Sequence, residues 1–167
     1  MSVTIAPAVA EQLGEIAAIE CAALPAEAWG KQQLANALCD QQQLFLVACA
    51  GDGTVVGHIL CRVVCGDGEL LSLAVSPAAR CRGVGRALLQ AAQKEALRRG
   101  CTAMGLEVRA QNRAAIALYR DQGFIPVGRR RGFYRAPIDD ALVMLWQPPR
   151  PTQDRSERTA VGGEIEI

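Results

Sequence analysis

Histidine is nearly missing from this chain: His58 is the only one. None of the seven cysteines forms a Cys-x-x-Cys pair. A zinc site draws on such pairs or on spaced histidines, so no metal site is expected. The cysteines are odd in number, which fits reduced thiols serving as small buried hydrophobes. Cys61 and Cys65, four apart in a strand-like run, at most share a face. Net charge is also lacking. Eighteen basic against seventeen acidic residues leave a formal +1, too little to hold a long polyanion, so no direct nucleic-acid partner is expected. No apolar run approaches the ~18–20 residues of a membrane span. The first residues carry no basic start followed by an apolar stretch, as a signal peptide would. A cytoplasmic chain without membrane contact is the expectation.

Half of the 167 residues are apolar and 21% are charged, a globular composition. Val3–Ile5 is β-prone. Val9, Leu13, Ile16 and Ala17 recur at helical spacing up to about Ala22, and Leu34 and Leu38 mark a second short helix. Leu44–Ala50, Val55–Cys65 and Leu70–Val75 read as three strands, separated by the turn signals "GDGT" (51–54) and "GDGE" (66–69). The almost wholly apolar Leu70–Val75 predicts a central strand buried on both faces. Val84–Arg99 then has strong helical periodicity and stops at Gly100. Thr102–Val108 is the next strand. Asn112 suits the N-cap of a helix that runs to about Gln122 and closes at Gly123. Phe124–Val127 and Ala141–Trp146 read as the last two strands. The predicted fold is α/β (α+β): a mixed sheet of six to seven strands flanked by about four helices. One domain is expected over residues 1–147. Residues 148–167, rich in proline, glycine and charge, read as a flexible tail.

"RCRGVG" (80–85) lies between the apolar strand and the strong helix. Amide N–H groups at a helix start are unpaired and carry partial positive charge. Gly83 and Gly85 remove side chains that would block approach to them, while Arg80, Arg82 and Arg86 add charge. Together they make a diphosphate cradle. Glycines that serve only to turn the chain would look the same. No Gly-Lys-Ser/Thr follows, and Leu88 stands where a dinucleotide loop needs its third glycine.

Arg80-x-x-Gly83-x-Gly85 resembles the (Gln/Arg)-x-x-Gly-x-(Gly/Ala) signature of the GNAT superfamily of N-acetyltransferases. "LEVRAQNRAAIALYRDQGF" (106–124) is similar to that superfamily's downstream block, especially in its ribosomal-protein-alanine N-acetyltransferases. The likeness covers about residues 3–147 and is most specific from 70 to 135. It implies a GNAT fold and acetyl-CoA as co-substrate, without a metal. The implied acceptor is a protein N-terminal α-amine, by analogy the N-terminal alanine of a small-subunit ribosomal protein. It further implies that Cys81, Arg82, Gly83, Val84, Gly85 and Arg86 hold the diphosphate. Leu73, Ala74 and Val75 would offer main chain to the thioester and pantetheine, and Asn112 would touch the pantetheine arm. Trp29 (with Leu24) and Tyr134 would line the acceptor side. A lysine or small-amine acceptor, or a non-catalytic CoA-binding module, are the alternatives.

Acetyl transfer to an amine needs an acceptor that has lost its proton, a polarised carbonyl and a protonated leaving thiolate. Glu107 interrupts an otherwise apolar strand, where partial desolvation would raise its pKa. The resemblance makes it the base; a salt-bridged strand glutamate, perhaps paired with Arg109, is the plain reading. Tyr119 lies two helical turns beyond Asn112, so both can face one cleft. The resemblance makes it the acid; simple packing on the sheet is the alternative. An α-amine of pKa ~8 is about a tenth neutral at pH 7, whereas a lysine at ~10.4 is neutral about four times in ten thousand. A modest carboxylate therefore suffices for an N-terminus. An acyl-Cys81 route lacks a nearby base, and a Ser72–His58 hydrolase pair lacks a Gly-x-Ser-x-Gly elbow.

Overall fold

A computed structural model describes residues 1–150. The expected tail falls mostly on 151–167, outside the described residues. Seven strands form one sheet: β1 (Thr4–Pro7), β2 (Gln43–Cys49), β3 (Val55–Val64), β4 (Asp67–Val75), β5 (Ala103–Arg109), β6 (Ile125–Arg135) and β7 (Ile138–Trp146), in the order β1-β2-β3-β4-β5-β7-β6. The predicted mixed α/β architecture is found. Two helices, α1 (Leu13–Ala23) and α2 (Lys31–Cys39), bury Leu13, Ile16, Ile19 and Leu34 against Phe45, Val47 and Leu60. The other two, α3 (Val84–Arg98) and α4 (Arg113–Asp121), pack with Leu44, Ile59, Leu70 and Met104 in a second core. Consecutive β3 residues, Ile59 and Leu60, enter different cores, as alternation along a strand requires. The sheet is thus a middle layer between two pairs of helices. Among the described residues no helix is long and apolar enough to cross a membrane.

The one parallel pairing sets the position of the cleft. β4 meets β5 only at Asp67–Ala103, Gly68–Met104 and Glu69–Gly105. Beyond that point β4 pairs with β3 alone and β5 with β7 alone, so the two strands separate toward their C-terminal ends. Opposite the opening, Leu60 pairs with Ser72 and Cys61 with Leu70, which leaves Leu71 as an extra residue. This is a β-bulge, a feature no residue pattern in the sequence announces. It also corrects the expectation that Leu70–Val75 is buried on both faces. Leu71, Leu73 and Val75 pack against the two cores but are only half-buried, because they also border the opening.

Other boundaries move as well. The "GDGE" turn contracts to Cys65–Gly66, both at positive φ (50° and 88°), the backbone of a two-residue type I′ hairpin. Asp67 to Glu69 join β4. β6 is eleven residues long rather than four, so the arginines at 129–131 and 135 sit on a strand and not in a loop. Irregular register beside β7 lets β6 twist and carry arginines where a regular core strand would alternate. The cysteines are less buried than expected. Cys61 and Cys101 are interior, but Cys21, Cys39, Cys65 and Cys81 are exposed.

Candidate active site

Three cavities follow one another through the opening. The first, of about 370 Å³, lies over the start of α3 and is lined by Leu73, Val75, Cys81, Gly83, Val84, Gly85, Arg86 and Tyr119, among others. The second is a throat of about 120 Å³ between the diverging strands, with Leu70–Leu73 on one side and Glu107–Arg109 on the other. Leu73, Ala115 and Tyr119 line both of these. The third, about 430 Å³, lies between residues 23–27 and the β6–β7 turn at 136–139. Leu24, Glu27, Arg109 and Asn112 line both it and the throat. The three cavities thus adjoin through shared lining residues, from the α3 N-terminus to residues 23–27 and 136–139.

At the first cavity the chain offers backbone. Gly83 caps α3 at φ +79°, and no side chain caps the helix, so its first amide groups remain available to an anion. Cys81 is also at positive φ, 58°. A Cβ on Gly85 would lie 3.2 Å from the Leu118 side chain, so a side chain there would crowd the floor between α3 and α4. The arginines contribute less than their number predicts. Arg86 is paired with Asp121 at 2.7 Å, Arg80 turns back toward the Val75 carbonyl, and Arg82 does not line the cavity. Ala74 is also absent from it. Its side chain is buried in the α1–α2 core, because alternation along β4 turns it away from Leu73 and Val75.

Glu107 opens into the throat rather than being buried. Its side chain is 30% exposed, and Arg130 lies 3.1 Å away. Its ion-pair partner is Arg130 rather than Arg109, which is engaged with Glu27. β5 has β7 on one side, but the separation from β4 leaves Glu107 facing solvent in the opening. Tyr119 is buried, tilted against Phe124, and borders both the throat and the first cavity. Burial pushes its phenol well above the ordinary range, so it stays protonated. Asn112 does cap α4, accepting from the Ala115 N–H at 3.2 Å, but it faces the throat and third cavity instead of the first.

Arg109 is a functional candidate that the sequence reading missed. It donates to the Ala136 and Pro137 carbonyls at 3.0 and 2.8 Å, and it bonds Glu27. Its guanidinium also stacks over the Tyr134 ring, 4.3 Å from the centroid. It thus joins the 24–30 segment to the β6–β7 turn. Tyr134 is in the throat as expected. Burial, then the nearby Glu27 and Glu107 carboxylates, push its phenol up to about 12. Trp29 is not in any of the three cavities. It packs against the α1–α2 core, because its backbone N–H is held by Glu20 on that side. The arginine of "LEVR" was the available signal for Arg109, but its hydrogen-bond partners lie 27 to 82 residues away and no spacing rule reaches them.

The layered α/β/α sheet opens between two parallel strands onto a glycine-rich helix start. The acetyltransferase (GNAT) family model matches residues 12–124, and the chain belongs to this family. It is 38% identical over 95 residues to the [ribosomal protein bS18]-alanine N-acetyltransferase of Escherichia coli K12, a match spanning 56% of this chain and 64% of that protein. Against the Salmonella typhimurium protein of the same name the identity is 34% over 132 residues, 72% of this chain and 88% of the relative. The crystal structure of the E. coli ribosomal-protein-S18-alanine N-acetyltransferase superimposes with a TM-score of 0.79 at 31% identity, covering 87% of this chain and 94% of that one.

Proposed function

We propose that this enzyme transfers acetyl from acetyl-CoA to the α-amine of a protein N-terminus, with an alanine-start ribosomal protein as the favoured acceptor. The observation that carries the proposal is the row of three adjoining cavities, which would bring two reactants from its opposite ends to Glu107 and Tyr119. The names of the similar proteins support the choice of acceptor. The walls of the third cavity support it too. A polyamine would require free carboxylates there. Glu27 is held by Arg109, and Asp139 accepts from the backbone N–H groups of Gln111 and Asp140. An uncharged peptide backbone suits such a wall better than a dication does.

The residues fit the co-substrate. The uncapped start of α3, with Gly83 and Gly85, would hold the diphosphate, while Leu73 and Val75 line the way to the throat. Acetyl-CoA supplies a thioester carbonyl as electrophile and a thiol as leaving group. Glu107 takes the amine's proton, directly or through water. Its link to the exposed Arg130 is weak enough to be exchanged for that contact. Tyr119 donates a proton on the other side. Its raised pKa opposes donation, but a sulfur expelled into the same dry surroundings becomes more basic for the same reason.

The test is thiol release from acetyl-CoA with an alanine-start peptide, a lysine peptide with a blocked N-terminus, and small amines. The first should react fastest. Reaction of the small amines alone would overturn the acceptor assignment. Tyr119→Phe should lower kcat by ~10–100-fold with CoA affinity retained.

A further inference from the structure

Glu20, in the last turn of α1, is fully buried and has no role in the chemistry above. A buried carboxylate is costly unless donors surround it. Here they come from separate parts of the chain. His58 Nε2 on β3 lies 2.7 Å from Oε1, the Ser72 hydroxyl on β4 donates to that same oxygen, and the Trp29 N–H donates to Oε2 at 3.1 Å. Burial alone would raise the carboxyl's pKa. The adjacent His58 ring and the Ser72 hydrogen bond, then the one from the Trp29 N–H, outweigh it and hold the group below its ordinary value. His58 and Ser72 thus both turn to Glu20. The serine is hydrogen-bonded to a carboxylate rather than activated by an imidazole, which disposes of the hydrolase pair.

The donors share a location. Ser72 directly follows Leu71, the extra residue of the β4 bulge, and itself borders the throat. The bulge puts Ser72 out of step with Leu70, so that its hydroxyl faces α1 and the next side chain, Leu73, returns to the first cavity. Trp29 anchors the end of the segment whose Leu24 and Glu27 line the throat and the third cavity. His58 pairs with Ala74, two residues beyond Ser72. One carboxylate therefore ties the strand on the thioester side to the segment on the amine side.

We propose that Glu20 is a positioning residue for acyl transfer, fixing the β4 bulge through Ser72 and the acceptor-side segment through the Trp29 amide. The proposal rests on acetyl transfer at this site but not on which amine accepts. Misplacing reactants by about an ångström costs up to ~100-fold in rate, so the effect should appear in kcat more than in binding.

Ser72→Val and Ser72→Thr are nearly the same shape, and only the second keeps the donor. The valine variant should lose ~10-fold or more in kcat, with the KM for acetyl-CoA within about twofold of wild type. The threonine variant should recover most of that loss at a similar Tm. Glu20→Gln should resemble Ser72→Val, and the two together should be no worse than either alone. Equal kcat for the valine and threonine variants would overturn the proposal, as would multiplying effects in the double variant. If Glu20→Gln does not fold, the Ser72 pair still decides. The assay uses whichever amine the wild type acetylates fastest. A wild type active on small amines but not on the alanine-start peptide would sink the acceptor assignment alone.

Discussion

The two ends of this row of cavities are built by different means. At the α3 end the chain presents main chain: a left-handed glycine, a helix start without a cap, and a second glycine with a neighbour 3.2 Å from where its Cβ would be. All of it comes from consecutive residues after β4. At the other end, by residues 23–27 and 136–139, the walls are joined by side chains. Arg109 reaches Glu27, 82 residues away, and also Ala136, Pro137 and the Tyr134 ring. Under the proposed function the first end would meet an anion that is the same in every turnover, which suits a rigid local motif. The second faces the variable reactant and is held by contacts that can be altered one at a time.

Substitutions should separate the two ends, and the largest effect belongs to neither. Glu107→Gln removes a proton acceptor without changing shape. It should lower kcat by ~100-fold or more in the thiol-release assay while leaving CoA affinity intact. An unchanged rate would remove Glu107 from the chemistry. Gly85→Leu should fill the floor between α3 and α4 and raise the KM for acetyl-CoA by about tenfold or more, as 1.4 kcal/mol of lost binding would. The acceptor KM should stay nearly constant. Arg109→Gln should do the reverse, raising the acceptor KM ~5–10-fold, equivalent to about 1–1.4 kcal/mol of binding, with the CoA Kd unaffected. If both substitutions moved both constants together, the two ends would not be separable. Asn112→Ala should have the smallest effect. Loss of the bond to the Ala115 N–H costs about 1 kcal/mol of stability, seen as a fall of ~2–4 °C in Tm.

How much of this was legible beforehand follows the same division. Asn112 as a cap, the stop at Gly100 and the glycine loop are local features, and each was read from a handful of neighbouring residues. The strand Leu70–Val75 was located correctly but misjudged. Its apolar side chains look like those of a strand covered on both faces, yet some of them line the opening. A lining that accepts an apolar arm has the same composition as a core, so sequence alone does not separate the two. Trp29 lies outside the three cavities: a tryptophan near a proline-containing segment can face either way, and here it packs on the α1–α2 core. Arg109, Arg130 and Glu20 were missed because their partners are assembled only when distant elements meet.

Local residue patterns are enough to set the order of strands and helices along the chain, the glycine-flanked helix start after a central strand, and a carboxylate and a phenol downstream. These depend on periodicity, turn residues and short spacings, which act over a few residues. Only the tertiary structure decided that β4 and β5 part after three pairs, that Leu71 is extra in its strand, and that Arg109 and Glu20 bind the two sides of the opening together. Those outcomes arise from register and from partners tens of residues apart. Pairing energy between strands and the cost of an unpaired buried charge are settled only when the whole sheet closes around them.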